Sequence, residues 1–103
     1  MANFVKVAAV DQVKADQGLV VEAGGQKLAL FRVGAEVFAV NDMCTHVGGP
    51  LSEGIVSGEE VMCPWHGARF NVKTGKALTP PARGDVACFA VRVVGQDIEV
   101  EVP

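Results

Sequence analysis

The chain has 103 residues, half of them hydrophobic, and nine Lys and Arg against twelve Asp and Glu give a formal net charge of −3. That length makes one domain with a modest core and leaves no room for a second catalytic domain. No stretch approaches the roughly 18 apolar residues of a membrane helix, and no basic tract offers itself to a phosphate backbone, so neither membrane nor nucleic acid is an expected partner.

Taken in chain order, the opening Met1-Ala2-Asn3-Phe4-Val5-Lys6-Val7 lacks a basic leader, a long apolar stretch and a cleavage site. No export signal is read there, and the expected location is the cytoplasm. Short segments rich in β-branched and small apolar residues, broken by Gly and Asn/Asp, then set an all-β rhythm. Strands are predicted at Val5 to Val7, Leu19 to Ala23, Lys27 to Val33 and Val37 to Val40, with turns at Gly24-Gly25 and Gly34-Ala35-Glu36. The weak period of Val10, Val13 and Ala15 suggests one helical turn within Asp11 to Gln17. A Gly/Pro-rich insert, roughly Met43 to Pro81, carries short strands at Glu60 to Met62 and Arg69 to Val72 and a turn at Thr74-Gly75. Beyond it, Val86 to Val94 and Ile98 to Val102 flank the hairpin signal Gly95-Gln96-Asp97. Both ends are expected to build one basal scaffold, and no internal repeat or linker is visible.

The chemistry lies in the insert. Cys44-Thr45-His46 and Cys63-Pro64-Trp65-His66 bring four soft metal ligands together in a chain with only two His and three Cys. Sixteen residues separate His46 from Cys63, so the pattern is C-x-H-x16-C-x2-H. A [2Fe–2S] core held by two thiolates on one iron and two imidazoles on the other needs ligands from two straddling loops, one Cys and one His from each. A zinc finger usually groups like with like, and this order is mixed, although thiolate softness alone leaves zinc open.

The paired motifs resemble those of Rieske iron–sulfur proteins, and the resemblance covers essentially the whole chain. It implies an all-β fold, a stack of small antiparallel sheets in which a cluster-binding subdomain (about 43–81) is inserted into a basal domain (about 1–42 and 82–103). It implies one [2Fe–2S] cluster, with Cys44 and Cys63 on the inner iron and His46 and His66 on an outer iron near the surface. Pro80-Pro81 falls where such proteins carry a loop covering the cluster. By the same resemblance the chain is similar to the soluble Rieske ferredoxins of bacterial aromatic-ring-hydroxylating dioxygenase systems. These carry single electrons from a flavoprotein reductase to a terminal oxygenase, both transient partners. The large oxygenase subunit also has a Rieske domain but continues into a second iron domain, which this length does not accommodate. The alternative is the small Rieske-like subunit of an assimilatory nitrite reductase.

With both histidines assigned to iron, no imidazole remains for general-base or Ser-His chemistry. No G-x-G-x-x-G or G-x-x-x-x-G-K-[ST] run offers a nucleotide cradle. Electron transfer, not catalysis, is the expected role. High-potential family members resemble C-P-C-H-G-S-x-Y in the second loop, with two hydroxyl donors and an extra cysteine paired across the loops. Here Ala68 and Phe70 replace the donors, and Trp65 and Gly49 stand at the two cysteine positions. Two absent charge-assisted bonds of about 1.5 kcal/mol each lower the expected potential by roughly 130 mV, toward about −150 mV.

Other residues have plainer readings. Cys88 is expected as a buried core thiol, and Trp65 as loop packing or part of a docking face. Gly48, Gly49 and Gly67 are expected to let backbone N–H groups approach the cluster sulfurs. Asp42, Glu53, Glu59, Glu60 and Asp85 are expected to be solvated charges rather than a steering surface.

Overall fold

The computed structural model describes residues 3–15, 17–42, 50–64, 67–78 and 85–102. Its ten strands are β1 (Asn3–Ala9), β2 (Leu19–Ala23), β3 (Gln26–Val33), β4 (Glu36–Asn41), β5 (Ile55–Ser57), β6 (Glu60–Met62), β7 (Arg69–Asn71), β8 (Cys88–Phe89), β9 (Val91–Val94) and β10 (Asp97–Val102). They form three sheets, β1-β10-β9, β2-β3-β4-β8 and β5-β6-β7, with every strand pair antiparallel. The all-β expectation is met.

The stacking follows from β3. Its run Leu28-Ala29-Leu30-Phe31 is fully buried, and successive side chains on a strand point to opposite faces. Leu28 and Leu30 pack with Ala8, Ile98, Val100 and Val102 of the β1-β10-β9 sheet. Ala29 and Phe31 pack with Val61 and Phe70 of the β5-β6-β7 sheet. The four-stranded sheet is thus the middle layer, and a strand covered on both faces reads as a continuous apolar run rather than an alternating one. In β10, by contrast, Ile98, Val100 and Val102 are buried and the residues between them are not. Each large side chain so buried contributes about 1.5–3 kcal/mol.

Three differences from the sequence reading have local causes. The basal strands divide between two sheets rather than forming one: β1 pairs with β10, while β2 to β4 join β8. Val86 to Val94 is not one strand, because the chain leaves the middle sheet after Phe89 and enters the outer sheet at Val91. Between them the Ala90 carbonyl accepts from the Glu101 N–H at 2.9 Å, so the corner is bonded without Gly or Pro to announce it. The single turn is a 3-10 turn at Val10–Gln12, anchored where the Gln12 side-chain oxygen accepts from the Ala9 N–H at 2.7 Å. It ends before Val13, which is buried.

Candidate metal centre

The small sheet delivers one candidate ligand. β6 and β7 pair Val61 with Phe70 and Met62 with Arg69, and the ladder's next bond runs from the Cys63 N–H to the Ala68 carbonyl at 2.7 Å. The Cys63-to-Ala68 loop is therefore closed at its base. Gly67 lies within it at φ +76°, a left-handed conformation that strains residues carrying a Cβ. Cys63 itself is 1% exposed and shares the core with Ala68, Phe70, Leu51 and Val86.

Two further loops are tied off beside it. Asp42, 5% exposed, ends the segment before the Cys44-Thr45-His46 motif. Its carbonyl accepts from the Leu51 N–H at 2.7 Å, and its carboxylate accepts from the Ser52 N–H, also at 2.7 Å. The segment 43–50 is thus bracketed by one residue acting on both of its neighbours downstream. The segment containing Pro80-Pro81 is bracketed likewise. Ala77 N–H donates to the Asp85 carboxylate at 2.8 Å, and Val86 N–H donates to the Gly75 carbonyl at 2.8 Å. Gly75 has φ +78°, and a Cβ there would overlap the Val86 carbonyl oxygen. The Asn41 N–H donates to the Ala87 carbonyl at 2.8 Å, which joins the roots of the first and third loops. Leu51, Cys63 and Val86, one from each root, belong to one buried cluster.

Of the four candidate ligands, Cys63 is described. Cys44, His46 and His66 lie outside the described residues, as do Trp65, Gly48, Gly49 and Pro80-Pro81. Two readings are corrected. Cys88 is exposed, not core: it sits on β8, the last strand of the middle sheet, where only the β4 side is paired. Asp42 is neither solvated nor steering but a buried acceptor for backbone N–H groups, and no sequence spacing signals a bond made across ten residues. Asp85 also has a structural role, while Glu59 pairs with the Lys73 ammonium at 3.5 Å.

A family model of the Rieske [2Fe-2S] domain matches residues 3–90. The chain belongs to that family. This Rieske chain is 38% identical over 100 residues to the biphenyl dioxygenase ferredoxin subunit of Pseudomonas sp. (strain KKS102), covering 96% of itself and 92% of that protein. Its fold matches the ferredoxin of carbazole 1,9a-dioxygenase from Nocardioides aromaticivorans IC177 with TM-score 0.90 at 32% identity, covering 95% and 96% of the two chains. It also matches a chain in a complex of reduced oxygenase and oxidized ferredoxin in carbazole 1,9a-dioxygenase, with TM-score 0.87 at 35% identity and coverage of 94% and 91%.

A Rieske domain implies a [2Fe–2S] cluster, and the chemistry around Cys63 fits one. A soft thiol donor stands withdrawn from water at the root of a hydrogen-bonded loop. The fully buried Ala68 and Phe70 nearby add no competing ligand. An apolar shell around a metal site controls solvent access to it and hence its potential.

Proposed function

We propose that this chain is a one-electron carrier that passes electrons from a flavoprotein reductase to the terminal oxygenase of an aromatic-ring-hydroxylating dioxygenase system. The observation that carries the reading is likeness along nearly the whole chain to proteins named as dioxygenase ferredoxins. The oxygenase–ferredoxin complex among the structural matches supports an oxygenase as one partner. The reductase is proposed from the chemistry, since a carrier that donates single electrons needs a donor that delivers them singly, as flavins do. The same likeness favours this reading over a nitrite reductase subunit.

In this reading Cys44, His46, Cys63 and His66 hold one [2Fe–2S] cluster, with the thiolates on the inner iron and the imidazoles on the outer. When bound, the cluster supplies reversible one-electron redox chemistry. The chain's own residues position it. Asp42 ties the first ligand loop, the Cys63–Ala68 bond ties the second, and Gly75 with Asp85 ties the proline-bearing third. Residues 43–81 serve as the cluster-binding subdomain on a base formed by 1–42 and 82–103. The chain acts as a carrier and not as a catalyst, and works in the cytoplasm. No helix among the described residues is long and apolar enough to cross a membrane.

The test is a low-temperature electron paramagnetic resonance spectrum of the reduced protein, with iron and acid-labile sulfide measured on the same sample. About two irons and two sulfides per chain with a mixed Cys/His signal are expected. Colourless protein holding zinc alone overturns the reading.

A further inference from the structure

A second 3-10 turn, Leu51–Glu53, lies in the chain between the two ligand motifs. On its upstream side Asp42 holds Leu51 and Ser52 by their N–H groups, so the turn is tied to the root of the segment that contains Cys44 and His46. On its downstream side the Gly54 N–H donates to the Leu51 carbonyl at 2.9 Å and closes the turn. Ile55 then pairs with Met62, the residue before Cys63. The turn is therefore joined to both ligand-bearing roots.

Two glycines meet this turn at close range. Gly54 has φ −76° and ψ 173°, extended backbone that any residue adopts, so its missing side chain serves space and not conformation. A Cβ at Gly54 would overlap the Met62 carbonyl oxygen and stand 2.9 Å from Val61 Cγ2. Gly18 is likewise outside the left-handed region, and the Ser52 backbone and the Phe31 ring both close on it. A Cβ there would stand 2.7 Å from the Ser52 carbonyl oxygen and 2.8 Å from Ser52 Cα and Phe31 Cε1. These separations lie well inside the roughly 3.5–4.0 Å of ordinary contact between carbon atoms, so a side chain at either glycine displaces backbone. Gly58 is the opposite case, with φ +60° and nothing within 4 Å of a Cβ.

We infer that Gly54 is a positioning residue for the cluster. By letting the turn Leu51–Glu53 close on the Met62 carbonyl, it fixes the spacing between the root of the segment carrying Cys44 and His46 and the root of the loop carrying Cys63 and His66. Gly18 supports the same spacing from the other side, where Ser52 meets the middle sheet. The inference rests on the carrier reading above, in which one cluster takes a Cys and a His from each loop. Metal–ligand distances are short and fixed, so the two roots must stand a fixed distance apart. Leu51 and Cys63 belong to one buried cluster, and close-packed interiors transmit displacement instead of absorbing it. Gly54 acts through Met62 and Leu51.

The experiment uses the cluster-loaded protein and the variants Gly54→Ala, Gly18→Ala and Gly58→Ala. Gly58 lies in the turn between β5 and β6, at the other end of β5 from Gly54, and alanine there carries the left-handed penalty without displacing a neighbour. Iron release to a chelator, the electron paramagnetic resonance spectrum of the reduced protein and the denaturant midpoint are read on each. Gly54→Ala should release iron faster than the parent by about tenfold or more, the scale on which losing a residue that orients metal ligands weakens metal binding, and its g values should move. Gly18→Ala should change both readouts in the same sense. Gly58→Ala should lose stability yet keep the parent's release rate and g values. Parent-like release and g values in Gly54→Ala, or equally fast release from Gly58→Ala at a similar midpoint, overturn the positioning role and leave the carrier reading standing. Should Gly54→Ala not fold, Gly18→Ala decides on the same criteria. If the parent itself shows no mixed Cys/His signal, the carrier reading falls and the positioning role with it.

Discussion

The Asp42 carboxylate accepts a 2.7 Å hydrogen bond from the Ser52 N–H, while the Asp42 carbonyl takes the Leu51 N–H at the same distance. One buried residue thereby closes the segment that contains Cys44 and His46. A charged acceptor on a backbone N–H makes a stronger bond than a neutral one, and removing it leaves a partly buried donor without a partner.

Asp42→Ala should therefore cost about 1–3 kcal/mol of stability, or roughly 4–8 °C of Tm per kcal/mol in a domain of this size. Asp42→Asn keeps an oxygen at the same place and should lose less. Thermal unfolding followed by circular dichroism reads the first effect, and the rate of iron release to a chelator reads loosening of the loop. Parent-like behaviour of the alanine variant in both assays would show that the bracket is not needed.

Ala68 is fully buried in the cluster that contains Cys63, and its carbonyl already holds the Cys63 N–H. A hydroxyl introduced there would stand beside the candidate ligand Cys63. Ala68→Ser should raise the midpoint potential by tens of millivolts, about 65 mV if the new bond is worth about 1.5 kcal/mol in the reduced state. Protein-film voltammetry would settle it, and no change or a fall would remove the argument that missing hydroxyls set the potential.

Gly75 and Gly95 separate two costs of adding a side chain. Both have positive φ, but a Cβ at Gly95 meets nothing within 4 Å, whereas at Gly75 it overlaps the Val86 carbonyl. Gly95→Ala should cost about 1–2 kcal/mol, the left-handed penalty alone. Gly75→Ala adds a backbone shift that disturbs the Gly75–Val86 bond at the root of the third loop, and should lose clearly more. Equal denaturant midpoints for the two variants would contradict this.

The local pattern carried the regular parts of the fold. Gly24-Gly25 and Gly34-Ala35 delimit hairpins whose strands fall within a residue of expectation, because turn chemistry and apolar runs act over few residues. β5 escaped notice because three residues, Ile55 to Ser57, are too short to show a period. The break at Ala90 escaped because the same β-branched composition suits either sheet. The burial of Asp42 and the exposure of Cys88 depend on which segments cover them, and covering is a tertiary fact. The Rieske family was legible for the opposite reason: so few Cys and His occur in the chain that their spacing stands out. Cys63 sits where a ligand loop should be rooted, and the other three candidates lie outside the described residues.

His66 tests the mixed donor set most directly. Replacing a neutral imidazole by a thiolate adds negative charge to the site, which disfavours taking up an electron. His66→Cys should convert the reduced spectrum toward that of an all-thiolate cluster with a lower potential, and His66→Ala should lose iron. Both are read by electron paramagnetic resonance with metal analysis on the same sample. Circular dichroism on the same variants should show the strand content retained, which separates loss of a ligand from loss of the fold. A parent-like spectrum in either variant would show that His66 is not a ligand, and the electron-carrier assignment would then need another donor.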